Sequence, residues 1–412
     1  MIERQIINLL SVFNILAMHR CFSFFLILIM IISCTGEDNV ETAPNPDNLI
    51  VAAYVWPSCH DDLVAREWFW GEGNGEWEII NQGTPRFPGH YQPKQPLWGC
   101  EPDNDPEVVE RWIRTALEYG VNTFIYDWYW YDGGPFLESA LNDGFLKAQS
   151  NEKMNFCVMW ANHNVKKNYW NCHKYGDDES LAFSGLVDWD NYRKVVDRII
   201  YQYFTRPNYL KFDGCPVISV FSMKLFIESF GTMKDARDAI DYFRNEARKA
   251  GFPDIHFMAN SGGAAGLSDA KVARRVAYVD SLGVNSFAFY NMGGFDRDYL
   301  RHGANAVENR KAWDKAIDVP VFPCVSIAWD DTPRFPTKGQ EDVTCYNSSP
   351  QVFATFLQTA KEYALAHPQQ PRLITINAWN EWVEGSYLLP DRKHGFGYLE
   401  AVRDVVTGKY DK

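Results

Sequence analysis

From residue 49 onward, short apolar runs rich in β-branched and aromatic residues alternate with longer stretches whose apolar positions recur every three to four residues. The short runs are residues 49–56, 121–130, 154–163, 216–222, 255–261, 286–292, 321–331 and 373–382, and they predict strands. Several are apolar at consecutive positions, as parallel strands covered on both faces must be. The longer stretches predict helices over 106–120, 136–149, 189–204, 233–250, 267–279, 304–316, 350–366 and 396–406. The clearest is the first, with Pro106 at its start, Val109, Trp112, Ile113 and Leu117 on one face, and Gly120 at its end. Strand then helix, eight times over, predicts an α/β fold, a (β/α)8 TIM barrel, as a single domain over 49–412. The competing arrangement, a doubly wound open sheet, lacks a Gly-x-Gly-x-x-Gly after the first strand.

The strand-like runs begin apolar and end polar or aromatic. Their last positions include Tyr54 and Trp56; Asp127, Trp128 and Trp130; Trp160, Asn162 and His163; Asn260; Tyr290 and Asn291; Trp329, Asp330 and Asp331; and Trp379, Asn380, Glu381 and Trp382. In a barrel these ends converge on one mouth, where a site belongs. Seven of the fifteen tryptophans fall there, a bias that core filling alone does not produce. An indole offers an apolar face and one N–H, matching the apolar face and polar rim of a sugar ring. Tyr54, Trp56, Asp127, Trp128, Trp130, Trp160, Asn162, His163, Asn260, Tyr290, Trp329, Asp330, Trp379, Asn380 and Trp382 are therefore the candidate substrate-binding residues.

The stretch 374–385, ITINAWNEWVEG, ends its alternation in two glutamates three residues apart. Glycoside cleavage needs one carboxylic acid to protonate the leaving oxygen and a second carboxylate as base or nucleophile. Glu381 and Glu384 supply that pair. Strict strand geometry would put them on opposite faces, so the chain must turn between them. A second arrangement makes Asp330 or Asp331 the nucleophile, with Glu381 across the mouth at about 5–5.5 Å. No paired Cys/His spacing points to a structural zinc, and neither a metal nor an organic cofactor is expected.

The remainder of the chain narrows the setting. A net charge of −13 with no basic stripe argues against nucleic acid as a partner. Residues 22–33, FSFFLILIMIIS, form an apolar run of signal-peptide size that stops at Cys34. Small Ser33 before Cys34 resembles a bacterial lipobox. Residues 1–33 are then a lipoprotein signal peptide, Cys34 the lipidated residue, and 34–48 a polar, Pro-containing tether. The expected product is an exported, lipid-anchored monomer of the outer membrane. Cys157 and Cys324 fall in apolar strand runs and read as buried thiols. Cys59, Cys100, Cys172 and Cys345 fall in loops, where an exported protein could form a disulfide. "CHDD", residues 59–62, reads as a solvent-facing loop rather than a metal ligand set.

INAWNEWVEGSYLLPD (376–391) followed by HGFGYLEAVRD (394–404) resembles the glycoside hydrolase family 99-like group, also called WbsX-like. VAAYVWP (51–57), ALEYGVNTFIYDWYW (116–130) and FCVMWANHN (156–164) fit the same group, so the resemblance covers roughly 49–405. It implies a retaining glycoside hydrolase acting on α-mannoside-like linkages of an oligosaccharide or polysaccharide. In that family one glutamate deprotonates the sugar's own 2-hydroxyl, which attacks C1, and the other serves as acid and then base. Carried over, Glu381 is the base toward O2, Glu384 the general acid/base, and Asn380 orients the substrate or the pair. The resemblance also implies a polysaccharide-degrading system of a Gram-negative bacterium. After Gly385 the chain reads SYLLPD where the hydrolases carry a TQIEP-like stretch, which leaves the sugar open. Two other functions compete: a WbsX-like glycosyltransferase, which needs a nucleotide-sugar donor, and a glycan-binding surface lipoprotein, which needs neither glutamate.

Overall fold

The computed structural model describes residues 40–260, 268–293, 296–340 and 346–410; the signal segment and Cys34 lie outside the described residues. Thr42–Lys412 form one compact unit. Its centre is a ring of eight parallel strands: β1 Ile50–Val55, β2 Thr123–Tyr131, β3 Asn155–Trp160, β4 Cys215–Val220, β5 His256–Asn260, β6 Ser286–Ala288, β7 Cys324–Ser326 and β8 Leu373–Asn377. The hydrogen-bonded order is β6-β5-β4-β3-β2-β1-β8-β7. Phe287 closes the ring: its N–H donates to Pro320 O and its carbonyl accepts from Phe322 N, both at 2.8 Å, beside a parallel bridge to Val321. The expected TIM barrel is what the chain forms. β7 is much shorter than the predicted 321–331, because Pro320 and Pro323 have no N–H to give a ladder.

The outer layer consists of α1 Pro106–Glu118, α2 Trp189–Arg198, α3 Met223–Phe230, α4 Met233–Lys249, α5 Asp269–Leu282, α6 Tyr299–Ala316, α7 Pro350–Ala366 and α8 Gly397–Val406. In α1 the Asp105 side chain accepts from Glu107 N, Pro106 occupies the first turn, and Val109, Trp112 and Ile113 are buried. The helix predicted over 136–149 is reduced to two short turns, Ala140–Gly144 and Phe145–Lys147. Asn142, Asp143 and Gly144 are poor helix formers. Gly144 packs so closely on the Asp103 carbonyl that a Cβ there would lie 2.5 Å from it.

Cys157 and Cys324 are buried thiols, and all six cysteines among the described residues are free. Cys59, Cys100 and Cys172, loop cysteines for which a disulfide was open, are not paired among the described residues; Cys345 lies outside them. The 59–62 stretch faces inward rather than to solvent at its first two positions. Cys59 is buried, and His60 Nδ1 stands 2.5 Å from Asp103 Oδ1 with both side chains fully enclosed.

Candidate active site

Beyond β8 the chain makes a two-residue antiparallel pair, Asn380–Glu381 against Ser386–Tyr387, closed by a turn in which Gly385 N donates to Trp382 O. Gly385 has φ +66°, and a Cβ there would stand 3.1 Å from Asp330 Cβ, so both backbone conformation and space require glycine. This turn is how residues three apart come to share one side: Glu381 lies on the arm and Glu384 in the turn. Both border a cavity of about 520 Å³ at the barrel mouth, together with Trp56, Asp127, Tyr129, His163, Tyr169, Trp170, Tyr290, Trp329 and Arg334.

Arg334 organises the carboxylates. Its Nη1 donates to Glu384 Oε1 at 2.8 Å, while Nε and Nη2 donate to Glu76 Oε1 at 3.0 and 2.9 Å. The guanidinium is 1% exposed and Glu76 0%, a buried ion pair in which every charge has a partner. Glu76 Oε2 accepts from Trp56 Nε1 at 2.5 Å and from Ser58 Oγ at 2.8 Å. The Trp56 and Tyr169 rings flank the guanidinium at 5.8 and 5.4 Å. Tyr169 also reaches Glu384 Oε1 through its hydroxyl at 3.4 Å. Glu384 Oε2 is buried and makes no hydrogen bond within the chain.

On the other side Tyr290 bridges two carboxyl groups. Its hydroxyl lies 2.9 Å from Asp127 Oδ2 and within hydrogen-bonding distance of Glu381 Oε2. A phenol has one hydrogen to donate, so one of these carboxyls carries a proton of its own. Burial pushes Asp127 well above the usual carboxylate range and Glu381 to about 7, so the two carboxyls are suited to share that proton through Tyr290.

Arg334 thus bonds two carboxyl groups, Glu76 and Glu384, and Tyr290 joins two more, Asp127 and Glu381. Burial raises Glu384 well above its ordinary value, with the nearby Glu381 charge adding to the rise against the pull of Arg334. Glu381 is raised to about 7, again chiefly by burial, with Arg334 and the Tyr290 hydrogen bond holding it down. Both carboxyls thus hold a proton more tightly than an exposed glutamate does, and in different surroundings, Glu384 on Arg334 and Glu381 on Tyr290. Two carboxyls whose surroundings separate their affinities for a proton can act as acid and base at one pH.

The structure brings only part of the predicted site together. Trp56, Asp127, His163, Tyr290, Trp329, Glu381 and Glu384 border the cavity. Trp128 does not: its Nε1 donates to Glu138 Oε1 at 2.7 Å in the helical layer. Trp130 stacks on Trp128 and borders a separate groove with Asp132 and Asn191. Trp160 is buried on Tyr192 and Phe226. The cause is strand alternation, which sends Asp127 and Tyr129 inward and Trp128 and Trp130 outward, and Met159 and His163 inward against Trp160 and Asn162. Trp379 is 0% exposed and packs on Phe124 and Trp112. Trp382 is buried between Trp77 and Tyr387.

The predicted polar residues outside the cavity are clamps. Asn162 exchanges hydrogen bonds with the Ser222 backbone, and Asn380 does so with the Trp56 backbone at 2.9 and 2.8 Å. Asn260 donates to the Tyr54 hydroxyl, which itself donates to Phe289 O. Asp330 lies outside the cavity that holds Glu381 and Glu384: it accepts from Gln92, Lys94 and Thr332, touches His90, and is held below the usual range. Burial opposes that lowering, and Lys94 with His90 and Thr332 overcomes it.

Sequence reasoning missed Arg334, Glu76, Tyr169 and Trp170. Arg334, a lone cation inside the aromatic and Pro-flanked TPRFP just beyond β7, carried a usable signal. Glu76, in a loop that joins β1 to α1, carried none.

Residues 51–402 match the family model described as "Glycosyltransferase WbsX". Proteins from two strains of Xanthomonas campestris pv. campestris, each bearing the name "Uncharacterized protein WxcX", are 26% and 27% identical over 391 residues. The match takes in 90% of this chain and 52% of theirs, so the chain spans about half the length of these relatives. Among solved structures, the GH99 endo-alpha-mannosidase from Bacteroides thetaiotaomicron superposes with a TM-score of 0.54 at 16% identity, over 88% of this chain and 97% of that one. A "Glycoside hydrolase-like protein" superposes at 0.55 and 12% identity, over 90% and 98%. At such identities the likeness is one of fold.

Proposed function

The chain belongs to the WbsX glycosyltransferase family, and from that premise we propose that it is a retaining glycoside hydrolase acting on α-mannoside-like linkages of a complex glycan. The observation that carries this reading is geometric: the turn at Gly385 brings Glu381 and Glu384 to one aromatic-lined cavity at the barrel mouth, where burial raises the proton affinity of both. In the proposed reaction Glu381 removes the proton from the sugar's 2-hydroxyl. That oxygen attacks C1 and closes a 1,2-anhydro ring as the glycosidic bond breaks, and Glu384 gives its proton to the departing oxygen. Water then opens the ring at C1. Glu384 takes the proton of that water, and Glu381 returns its own to O2, so both carboxyls end as they began. Trp329 supplies an apolar face for a sugar ring, and neutral His163 supplies a polar edge.

Product release from a panel of plant, yeast and host glycans, wild type beside Glu384→Gln, tests the reading. Release by the wild type alone supports it. Binding without release by either supports a glycan-binding lipoprotein. The family's description favours a second reading, glycosyl transfer, for which a nucleotide sugar must raise the melting temperature at low concentration.

The pH dependence follows from the two roles. Activity requires Glu381 ionised, so kcat/KM rises as pH passes through about 7. It requires Glu384 protonated, so kcat/KM falls at higher pH, where that proton is lost. A profile that stays flat from about pH 4 to 9 overturns this assignment.

The same reading places the protein outside the cytoplasm, anchored by lipid on Cys34. Metabolic labelling with a lipid precursor is expected to mark the wild type and not Cys34→Ala.

A further inference from the structure

A second cavity of about 440 Å³ opens beside the first, and Trp329 borders both. The two are also joined through the backbone, where Asp330 N donates to Glu384 O at 2.7 Å. Their linings differ in charge. The second contains Lys94, Lys393 and Arg297, with His90 and His394, against one carboxylate, Asp330. In a chain of net charge −13, three fixed cations around one small cavity run against the overall balance.

The neighbouring carboxylates engage Lys94 and Lys393 unequally. Asp330 pairs with Lys94 at 3.1 Å and takes further donors from Gln92 and Thr332. Asp391 is engaged by neutral donors: the Tyr387 hydroxyl, Lys393 N and His394 N. Lys393 has no carboxylate partner among the described residues. Its ammonium lies 5.3 Å from the Tyr91 ring centroid, and Lys94 approaches the same ring at 5.3 Å. Two ammonium groups gathered on one phenol ring repel each other unless an anion lies between them. Burial and Lys94 both lower the proton affinity of Lys393, as that repulsion requires.

We propose that this second cavity is a subsite for an acidic sugar, its ring against Trp329 and Tyr91 and its carboxylate or sulfate held by Lys393, Lys94 and Arg297. The substrate is then a glycan with a negatively charged unit next to the unit that is cleaved. This rests on the hydrolase reading for the cleaved unit, but binding at the second cavity is separable from turnover.

The test is calorimetric titration of the Glu384→Gln chain with oligogalacturonate, oligomannuronate, chondroitin sulfate and heparan sulfate tetramers. Each is titrated beside its carboxyl-reduced or desulfated counterpart, with GDP-mannose and UDP-glucose alongside. At least one acidic oligosaccharide is expected to bind about tenfold or more tighter than its neutral form. Adding Lys393→Gln is expected to weaken it about tenfold, with the melting temperature unchanged. Equal affinity for acidic and neutral forms, binding indifferent to Lys393, or no binding of any acidic member overturns the proposal. Lys393-dependent binding of the nucleotide sugars alone also overturns it and assigns the cavity to an activated donor. Acid preference without product release anywhere would sink the hydrolase reading and keep this one; release from neutral glycans with no acid preference would do the reverse.

Discussion

Replacing Glu384 with glutamine is expected to lower kcat/KM by about 10²- to 10⁴-fold while leaving the fold intact, the range general acid–base catalysis supplies. Glutamine keeps the shape of the side chain and an oxygen for Arg334 Nη1, which now donates to Glu384 Oε1 at 2.8 Å. It has no proton to give a departing sugar oxygen. The same substitution makes a stability prediction with a definite sign. Burial raises Glu384 in the folded chain, so folding holds its proton more tightly than the unfolded chain does. The stability that goes with that proton is fully present below the ordinary glutamate value, about 4.3, and is lost as pH rises toward the raised folded value. Glu384→Gln removes this loss, so the variant is expected to melt higher than the wild type on the alkaline side. Parallel kinetics and thermal melts between about pH 5 and 9 check both halves. Near wild-type turnover in a correctly folded variant would remove Glu384 from the chemistry.

The second large effect is expected at Arg334. Arg334→Met leaves Glu76 buried without the two guanidinium donors that now reach its Oε1. Removing one partner of a fully buried pair costs about 3–5 kcal/mol, because the remaining charge is neither solvated nor compensated. Trp56 Nε1 and Ser58 Oγ still bond Glu76 Oε2, which places the expected loss toward the lower end. The midpoint of urea unfolding is expected to fall accordingly. Arg334 also holds down the proton affinities of Glu381 and Glu384, so the acidic limb of the pH–rate profile should move to higher pH in the variant. Arg334→Lys keeps the charge but has no planar fork to serve two carboxylates from one head, and should recover only part of each effect. An unchanged urea midpoint together with an unmoved acidic limb would mean that Arg334 is an incidental neighbour.

The two predictions differ in how much of their basis could be seen in the sequence. Glu384 announced itself: two glutamates beside aromatic residues, where an alternating strand stops and a glycine follows. Its glycine proved to be the φ +66° residue of the turn that brings both carboxyls to one cavity. Arg334 carried only the local signal of a lone cation in TPRFP, and its role depends on Glu76, 258 positions away in the chain.

The tryptophans show the same division within single strands. Their accumulation at strand ends was legible, and Trp56 and Trp329 do border the cavity. Trp128, Trp160, Trp379 and Trp382 share those ends and are packed into the helical layer or the core. Alternation decides this, but its phase depends on which face of each strand the ring turns inward, and closure of the ring sets that. Asn380 sits beside Glu381 in sequence and spends its amide on the Trp56 backbone.

What the sequence determined by itself was therefore what local pattern controls. Eight apolar runs separated by amphipathic helices have few ways to bury their surface other than a closed parallel barrel. Their polar ends must then meet at one mouth. What only the tertiary structure decided was which groups meet there and in what charge state. Loops after β1, β7 and β8 bring Glu76, Arg334 and Glu384 into one desolvated cluster, and the loop after β3 lays Tyr169 over it. Proton affinities shift only once burial removes water and brings those charges within reach of one another, and no spacing along the chain encodes that.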